Sequence, residues 1–314
     1  MVKEKVIVAT TASAVTAAPI TRLDFQSEIR RNNFKTFLIF LAFFVFIFLI
    51  AMALKLIFSW SGFGILTIAG VIAIIYGLIG YYAGDKIVLA TSGAVEADPK
   101  KYQFLHNVVE GLAVGSGMPK PKVYIINDQS PNAFATGRDP NHSSVAVTTG
   151  LLEIMNRQEL EGVIAHEMSH IGNRDIKVMT VVAILFGIIS IVSDIALRSL
   201  IFGGGSGDRD NGNILLIIVA IVFIVLAPIV GLLVQLSMSR NREYLADASG
   251  AKLTRYPKGL ADALTKIAKV NLPVAKAGKG TAQLYIANPL KNRVSNWLST
   301  HPPIEERIKR LNAM

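Results

Sequence analysis

Four long apolar segments restrict the possible folds of this chain more than any other feature of its sequence. They run over about Phe37–Phe58, Gly62–Ala83, Val178–Phe202 and Ile214–Met238. A helix of about 20 predominantly apolar residues crosses a bilayer, so the pattern predicts a multi-pass α-helical membrane protein. The alternative is buried helices of a large soluble domain. Asp194 and Arg198, one helical turn apart, also leave open a recessed position for the last two segments.

Charge supports the membrane interpretation and predicts an orientation. The net charge is +10, from 32 Lys and Arg against 22 Asp and Glu. Such a balance fits nucleic acid or an anionic membrane surface, and the apolar segments favour the membrane, so we expect no nucleic-acid partner. Basic residues flank the apolar segments on the side where both termini and the hydrophilic blocks lie. Because positive charge favours the cytoplasmic side, both termini and the hydrophilic blocks should lie on the cytoplasmic side of the cell membrane.

A short histidine motif carries the chemistry. His166 and His170 are four residues apart, so on a helix they lie one turn above each other and can hold one metal ion. Glu167 lies beside them, where it can take a proton from a metal-bound water, and this pattern on a helix is typical of zinc metalloproteases. There is no Cys, so any metal must be held by nitrogen and oxygen ligands. The alternative, two histidines that face water, is disfavoured because the preceding turn is apolar.

A third ligand is expected after the last apolar segment. Glu243 and Asp247 are also four residues apart, so Glu243 can complete the metal shell while Asp247 accepts a hydrogen bond from a ligand histidine. A solvated acidic face is the alternative reading of this pair. The apolar neighbours Tyr244, Leu245 and Ala246 argue against it.

Several motifs together resemble the HtpX-type membrane zinc metalloproteases, which are related to the CAAX prenyl endopeptidases. They are Pro131–Gly137, Thr148–Leu152, His166–His170 with Asn173–Asp175, Arg242–Asp247, and Ser299–Pro303 with Glu306–Ile308. The resemblance implies a multi-pass membrane protein with a mainly α, α+β zincin-like (gluzincin) metalloprotease domain in the cytosol. It implies one Zn²⁺ on His166, His170 and Glu243, with Glu167 as catalyst. It also implies proteolytic quality control of damaged or misfolded membrane proteins.

These patterns divide the chain into five parts. The first is an N-terminal tail (1–35), which is flexible or lies on the surface, and the second is a transmembrane hairpin (36–83). The first part of the catalytic domain (84–176), a second transmembrane pair (177–238) and the second part of the catalytic domain (239–314) follow. Within the first catalytic part we expect a helix over Asp98–Gly117, a strand over Val123–Ile126 and a hairpin of Asn132–Gly137 with Ser144–Thr148. A further helix should begin near Ile304.

Two predictions concern the substrate. His301, held by the prolines that follow it, either helps to stabilise the oxyanion or makes a structural hydrogen bond. An extended polypeptide should pair with an exposed strand edge, either Val145, Ala146 and Val147 or the segment that holds Asn132 and Phe134, with Phe134 as an apolar wall. The alternative is an edge covered by the chain's own loop.

Two other classes of protein remain to be weighed against the protease. A membrane zinc transporter or sensor would need polar ligands inside the apolar segments, whereas the predicted ligands lie outside them. A catalytically silent membrane scaffold would not need Glu167, which is intact.

Overall fold

The computed structural model describes residues 30–42, 44–45, 48, 64–184, 240–270, 272–277, 281–289 and 302–314. The predicted tail up to residue 29, much of the first and third apolar segments, the whole fourth segment and His301 therefore lie outside the described residues. Within the described ranges, no helix combines the length and the apolar character needed to cross a membrane.

Helices predominate among the described residues. In chain order they are α1 (residues 30–42), α2 (Gly64–Tyr82), α3 (Gly84–Thr91), α4 (Gln103–Ser116), α5 (Thr149–Ile154), α6 (Arg157–Gly172), α7 (residues 175–184), α8 (Arg240–Thr254), α9 (Pro257–Val270) and α10 (Ile304–Asn312). The strands are β1 (Ala94–Glu96), β2 (Lys122–Ile126), β3 (Ala133–Asp139) and β4 (His142–Thr148). The predicted helix after Asp98, the strand near Val123, the hairpin and the helix from Ile304 are confirmed.

The four strands form one sheet in the order β1-β2-β4-β3. Strands β2 and β4 are parallel, whereas β1 pairs with β2 and β3 pairs with β4 in antiparallel fashion. One face of the sheet packs on α4 and α6 through residues such as Val145 and Val163. The other face packs on α3 and α7 through residues such as Leu89 and Met179. Strand β4 is consequently buried on both faces, which explains its continuous run of small and apolar residues.

Helix α6 is the element on which the rest is assembled, since it contacts α4, α8, α9 and β3. A capping box fixes its start: the Asn156 side chain accepts from Glu159 N at 3.0 Å, and the Glu159 carboxylate accepts from Asn156 N at 2.8 Å. On α8, a Cβ added at Gly250 would lie 2.9 Å from His166 N. The missing side chain lets the backbones of α6 and α8 approach closely, so side chains on α8 reach the histidine motif.

The predicted substrate edge needs correction. Strand β4, with Val145, Ala146 and Val147, lies between β2 and β3, so it offers no free backbone groups to a substrate. Strand β3 is an edge strand of the sheet, but Phe134 bridges to Tyr285 on its outer side, and Ile286 N donates to Ala133 O at 2.9 Å. The alternative of an edge covered by the chain's own loop therefore holds for this part of β3.

The side chains assigned to that edge are not exposed either. Phe134 is completely buried and packs edge to face on Tyr285 at a centroid distance of 4.9 Å. Asn132 is buried as well, and its Nδ2 donates to Ala287 O at 3.0 Å. Phe134 thus belongs to the core, and the predicted apolar wall is wrong for this structure.

The predicted tail also differs from the structure at its end. Residues 30–35 are helical as the first part of α1, and Asn32 is completely buried. A flexible or surface-lying description therefore does not hold for this stretch.

Candidate metal centre

Helix α6 carries three buried functional side chains. His166, Glu167 and His170 are 1%, 1% and 5% exposed. The Nε2 atoms of the two histidines are 3.3 Å apart, with the rings at 89° to each other. The spacing of four residues predicted this convergence.

Helix α8 supplies the third donor. Glu243 is 4% exposed, its Oε1 lies 3.5 Å from His170 Nε2, and its Oε2 lies 3.8 Å from His166 Nε2. One ligand atom from each of the three residues lies within 4.8 Å of the others. The structure thus brings together the three predicted ligands, although Glu243 is far from the histidines in sequence.

The spacing of these donors fits a zinc ion. Ligand atoms about 2.0–2.2 Å from one ion at tetrahedral angles are about 3.3–3.6 Å apart, close to the 3.3 and 3.5 Å separations at His170. Two imidazoles and one carboxylate are also a donor set found in catalytic zinc sites, which keep one position open.

A carboxylate and a guanidinium hold His166. Asp247 Oδ1 lies 2.9 Å from His166 Nδ1, so Nδ1 carries the hydrogen and Nε2 is left as the ligand atom. Arg307 on α10 donates to both oxygens of Asp247, from Nε at 2.9 Å and from Nη2 at 2.7 Å. Its Nη1 donates to Ile286 O at 2.8 Å. This geometry is consistent with the predicted role of Asp247, whose carboxylate is held in place by Arg307.

A second carboxylate holds His170. Asp175 Oδ2 lies 3.1 Å from His170 Nδ1. Its other oxygen, Oδ1, accepts from Asn32 Nδ2 at 2.9 Å and from Arg242 Nη1 at 3.2 Å. Each histidine is thus oriented by its own buried carboxylate, and each carboxylate is oriented by an arginine.

Burial and these carboxylates move the histidine pKa values in opposite directions. Burial lowers the pKa of His166, and the nearby Arg307 charge adds to this effect against the opposing hydrogen bond to Asp247. Burial also disfavours the charged form of His170, but the hydrogen bond to Asp175 and the charge of Glu243 outweigh it and raise the pKa to about 9. Arg307 and His166 outweigh the burial of Asp247 and hold its pKa well below the usual range.

Glu167 stands apart from this network. Its Oε1 makes no hydrogen bond to any described residue, although the atom is buried, and its carboxylate receives a backbone hydrogen bond from Ala135. Burial raises the pKa of Glu167 to about 7. A carboxylate with a pKa near 7 and with one oxygen, Oε1, that accepts no hydrogen bond from the described part of the chain suits a general base.

Comparison with known proteins places this arrangement in a family. The sequence model of peptidase family M48 matches residues 99–314. The chain belongs to peptidase family M48. Its histidine motif and the Glu243 helix both lie within the matched region. The family and the buried His–His–Glu cluster together identify the chain as a metalloprotease.

Individual relatives of this M48 peptidase are similar over nearly their whole length. A protease HtpX homolog of Thermoanaerobacter pseudethanolicus is 47% identical and aligns over 94% of this chain and 98% of its own. One of Lactobacillus helveticus is 45% identical over 91% of this chain and 99% of its own. Among solved structures, S. mikatae Ste24p is similar at a TM-score of 0.48 and 19% identity, covering 85% of this chain and 62% of that chain.

Sequence reasoning missed four residues of the M48 site. Asp175 and Arg307 fall within recognised motifs, and Arg242 begins one, but none had an assigned role; Asn32 fell in the predicted tail. Asp175 carries a local signal, because an acid five residues after the second histidine lies just past the end of α6. Arg307 and Asn32 carry none, since only the tertiary fold brings them to the site.

Proposed function

We propose that this M48 peptidase is a zinc-dependent endopeptidase that hydrolyses polypeptides next to a membrane. The observation that carries the proposal is the convergence of His166, His170 and Glu243, three buried donors that lie within 4.8 Å of one another. A zinc ion bound there would polarise the scissile carbonyl and lower the pKa of a bound water towards about 7. The chain holds the ligands rigidly, because each histidine is hydrogen-bonded to a buried carboxylate.

The remaining chemistry falls to Glu167. Its carboxylate would accept the proton of the attacking water and pass it to the leaving amine. The buried and unengaged Oε1 supports this role. We also propose that His301 helps to stabilise the oxyanion, as its sequence context predicts.

The proposed substrates are damaged or misfolded membrane proteins and unfolded polypeptides. The proposed location supports this choice, since α1, Phe48 and α2 expose large apolar side chains at about half of their maximal surface. These are Phe34, Phe37, Leu41, Phe48, Val71, Ile74, Ile75 and Leu78. We infer that lipid covers these faces, because exposed apolar patches of this kind on a water-facing surface are uncommon.

Aromatic and basic side chains mark the level of the proposed membrane surface. At the end of α2, Lys177 Nζ lies 5.3 Å from the Tyr81 ring centroid, and the Arg138 guanidinium lies 5.3 Å from that of Tyr82. Tyrosines with adjacent Lys and Arg are typical of the interface between lipid and cytoplasm. This supports a catalytic domain on the cytoplasmic side of the cell membrane.

Zinc content and proteolysis test the proposed function together. Purified full-length protein in detergent should hold about one zinc per chain by elemental analysis and should cleave casein in a chelator-sensitive way. In Glu243→Ala, loss of one of three ligands should weaken metal retention and abolish most of the cleavage. Full zinc occupancy and activity in that variant would show that Glu243 is not the ligand. A metal-free, inactive wild type would refute the proposal.

The predicted topology has its own test. A reporter fused within residues 203–210 should behave as extracytoplasmic, while a fusion at the C-terminus should behave as cytoplasmic. Cytoplasmic behaviour of the first fusion would contradict four membrane spans and favour a recessed pair.

A further inference from the structure

Asn32 reaches the metal centre from the first helix of the chain. It is completely buried, and its Nδ2 donates two hydrogen bonds, to Asn173 O at 2.9 Å and to Asp175 Oδ1 at 2.9 Å. An amide nitrogen has two hydrogens, so both are used. The side chain therefore connects α1 to the end of α6 and to the carboxylate that orients a ligand.

The position of Asp175 depends on these donors. Its Oδ2 accepts from His170 Nδ1 at 3.1 Å, while its Oδ1 accepts from Asn32 and from Arg242 Nη1 at 3.2 Å. The donors come from α1 and α8 and also contact each other, since Arg242 Nη1 donates to Asn32 Oδ1 at 3.5 Å. With both oxygens engaged, the Asp175 carboxylate cannot rotate without breaking a hydrogen bond, and His170 Nε2 stays directed at Glu243.

We propose that Asn32 is a positioning residue for the metal ligand His170, acting through Asp175. The proposal rests on the proposed zinc site. Asn32 lies directly before the first apolar segment, and its neighbour Asn33 accepts from Lys177 Nζ at 3.2 Å, next to the tyrosines at the proposed membrane surface. The first helix thus reaches the metal centre through Asn32, whereas Asn33 contacts Lys177 on the side that faces the proposed membrane surface. Partners that orient a ligand histidine typically contribute 10–100-fold to metal affinity.

A zinc-competition titration with a double-mutant cycle tests this role in the full chain in detergent. The variants are Asn32→Ala, Asn32→Leu, Asp175→Ala and Asn32→Ala with Asp175→Ala, and Asn33→Ala is the control. Asn32→Leu keeps most of the buried volume but removes both donors. Thermal unfolding of the metal-free variants shows separately whether the fold persists. The Co²⁺-substituted proteins report the ligand geometry by their visible absorption.

We expect Asn32→Ala and Asn32→Leu to weaken zinc binding about tenfold and to alter the Co²⁺ spectrum, and Asp175→Ala to weaken binding 10–100-fold. Asn33→Ala should bind as wild type does. In the Asp175→Ala background, Asn32→Ala should add little, because residues that act through one another are not additive.

Several results would overturn the assignment. One is a wild-type zinc affinity in an Asn32 variant that folds. Another is a loss of zinc affinity on Asn32→Ala that is equally large with Asp175 present and with Asp175→Ala. The second result would mean that Asn32 acts through its other partners, Asn173 O or Arg242 Nη1, and not through Asp175. If wild type bound no zinc, the proposed function would fail together with the inference. If the wild-type protein bound zinc and the Asn32 variants bound it equally well, the role of Asn32 would be refuted while the proposed function stood.

Discussion

Glu167→Gln is expected to lower peptide hydrolysis by about 10²–10⁴-fold while zinc content stays at the wild-type level. Glutamine has nearly the same shape but cannot accept the proton of the attacking water. Glu167 is not among the clustered donors, so the metal should remain bound. Initial rates on casein, normalised to zinc measured on the same sample, give the comparison.

Glu161→Gln is the matched control, because it makes the same change on the same helix. Glu161 pairs with Arg157 at 2.8 Å in a partly exposed position and faces away from the metal centre. Its loss should leave activity within about twofold of wild type, since exposed pairs of this kind contribute little. Wild-type activity in the Glu167→Gln variant would show that Glu167 is not the general base. Loss of zinc from that variant would indicate that Glu167 is a metal ligand.

Arg307→Leu is expected to destabilise the protein by roughly 3–5 kcal/mol, because it leaves the buried Asp247 carboxylate without its cationic partner. Arg307 is 1% exposed, and both of its bonds to Asp247 are shorter than 3.0 Å. Its Nη1 also lies 3.7 Å from Glu243 Oε2, so a second acid loses a positive neighbour. Denaturant unfolding of the full chain in detergent measures the change.

Lys309→Ala on the same helix provides the comparison for Arg307. Lys309 is exposed, so the free energy of unfolding should change by no more than about 0.5 kcal/mol. If Arg307→Leu were as mild as Lys309→Ala, Asp247 would have to be solvated in the protein, contrary to its 2% exposure.

Local periodicity explains how much of the metal centre the sequence could predict. His166 and His170 are neighbours on any α-helix, and Glu243 with Asp247 repeats the same spacing, so these pairs needed only a helix assignment. Asp175 and Arg307 orient the histidines from outside those helices. Their roles depend on the chain turning after Gly172 and on α10 packing beside α8, neither of which leaves a periodic pattern.

The strand order could not be predicted for a similar reason. The turn between β3 and β4 predicted their hairpin, but the parallel pairing of β2 with β4 requires the connection from β2 to β3 to pass over the position that β4 occupies. The run of small and apolar side chains in β4 reflects burial of both faces of the strand, but it does not show which strands pair with its two edges. The exposed edge assigned to Ala146 was therefore wrong, although the hairpin itself was correct.

The distribution of the site over the chain has a consequence for biosynthesis. His166, Glu167 and His170 are translated first, whereas Glu243, Asp247 and Arg307 follow only after the third and fourth apolar segments. A nascent chain that ends before α8 has two of the three donors and neither the carboxylate nor the guanidinium that hold His166. The complete set of candidate ligands, together with the side chains that orient them, therefore exists only after translation has passed Arg307.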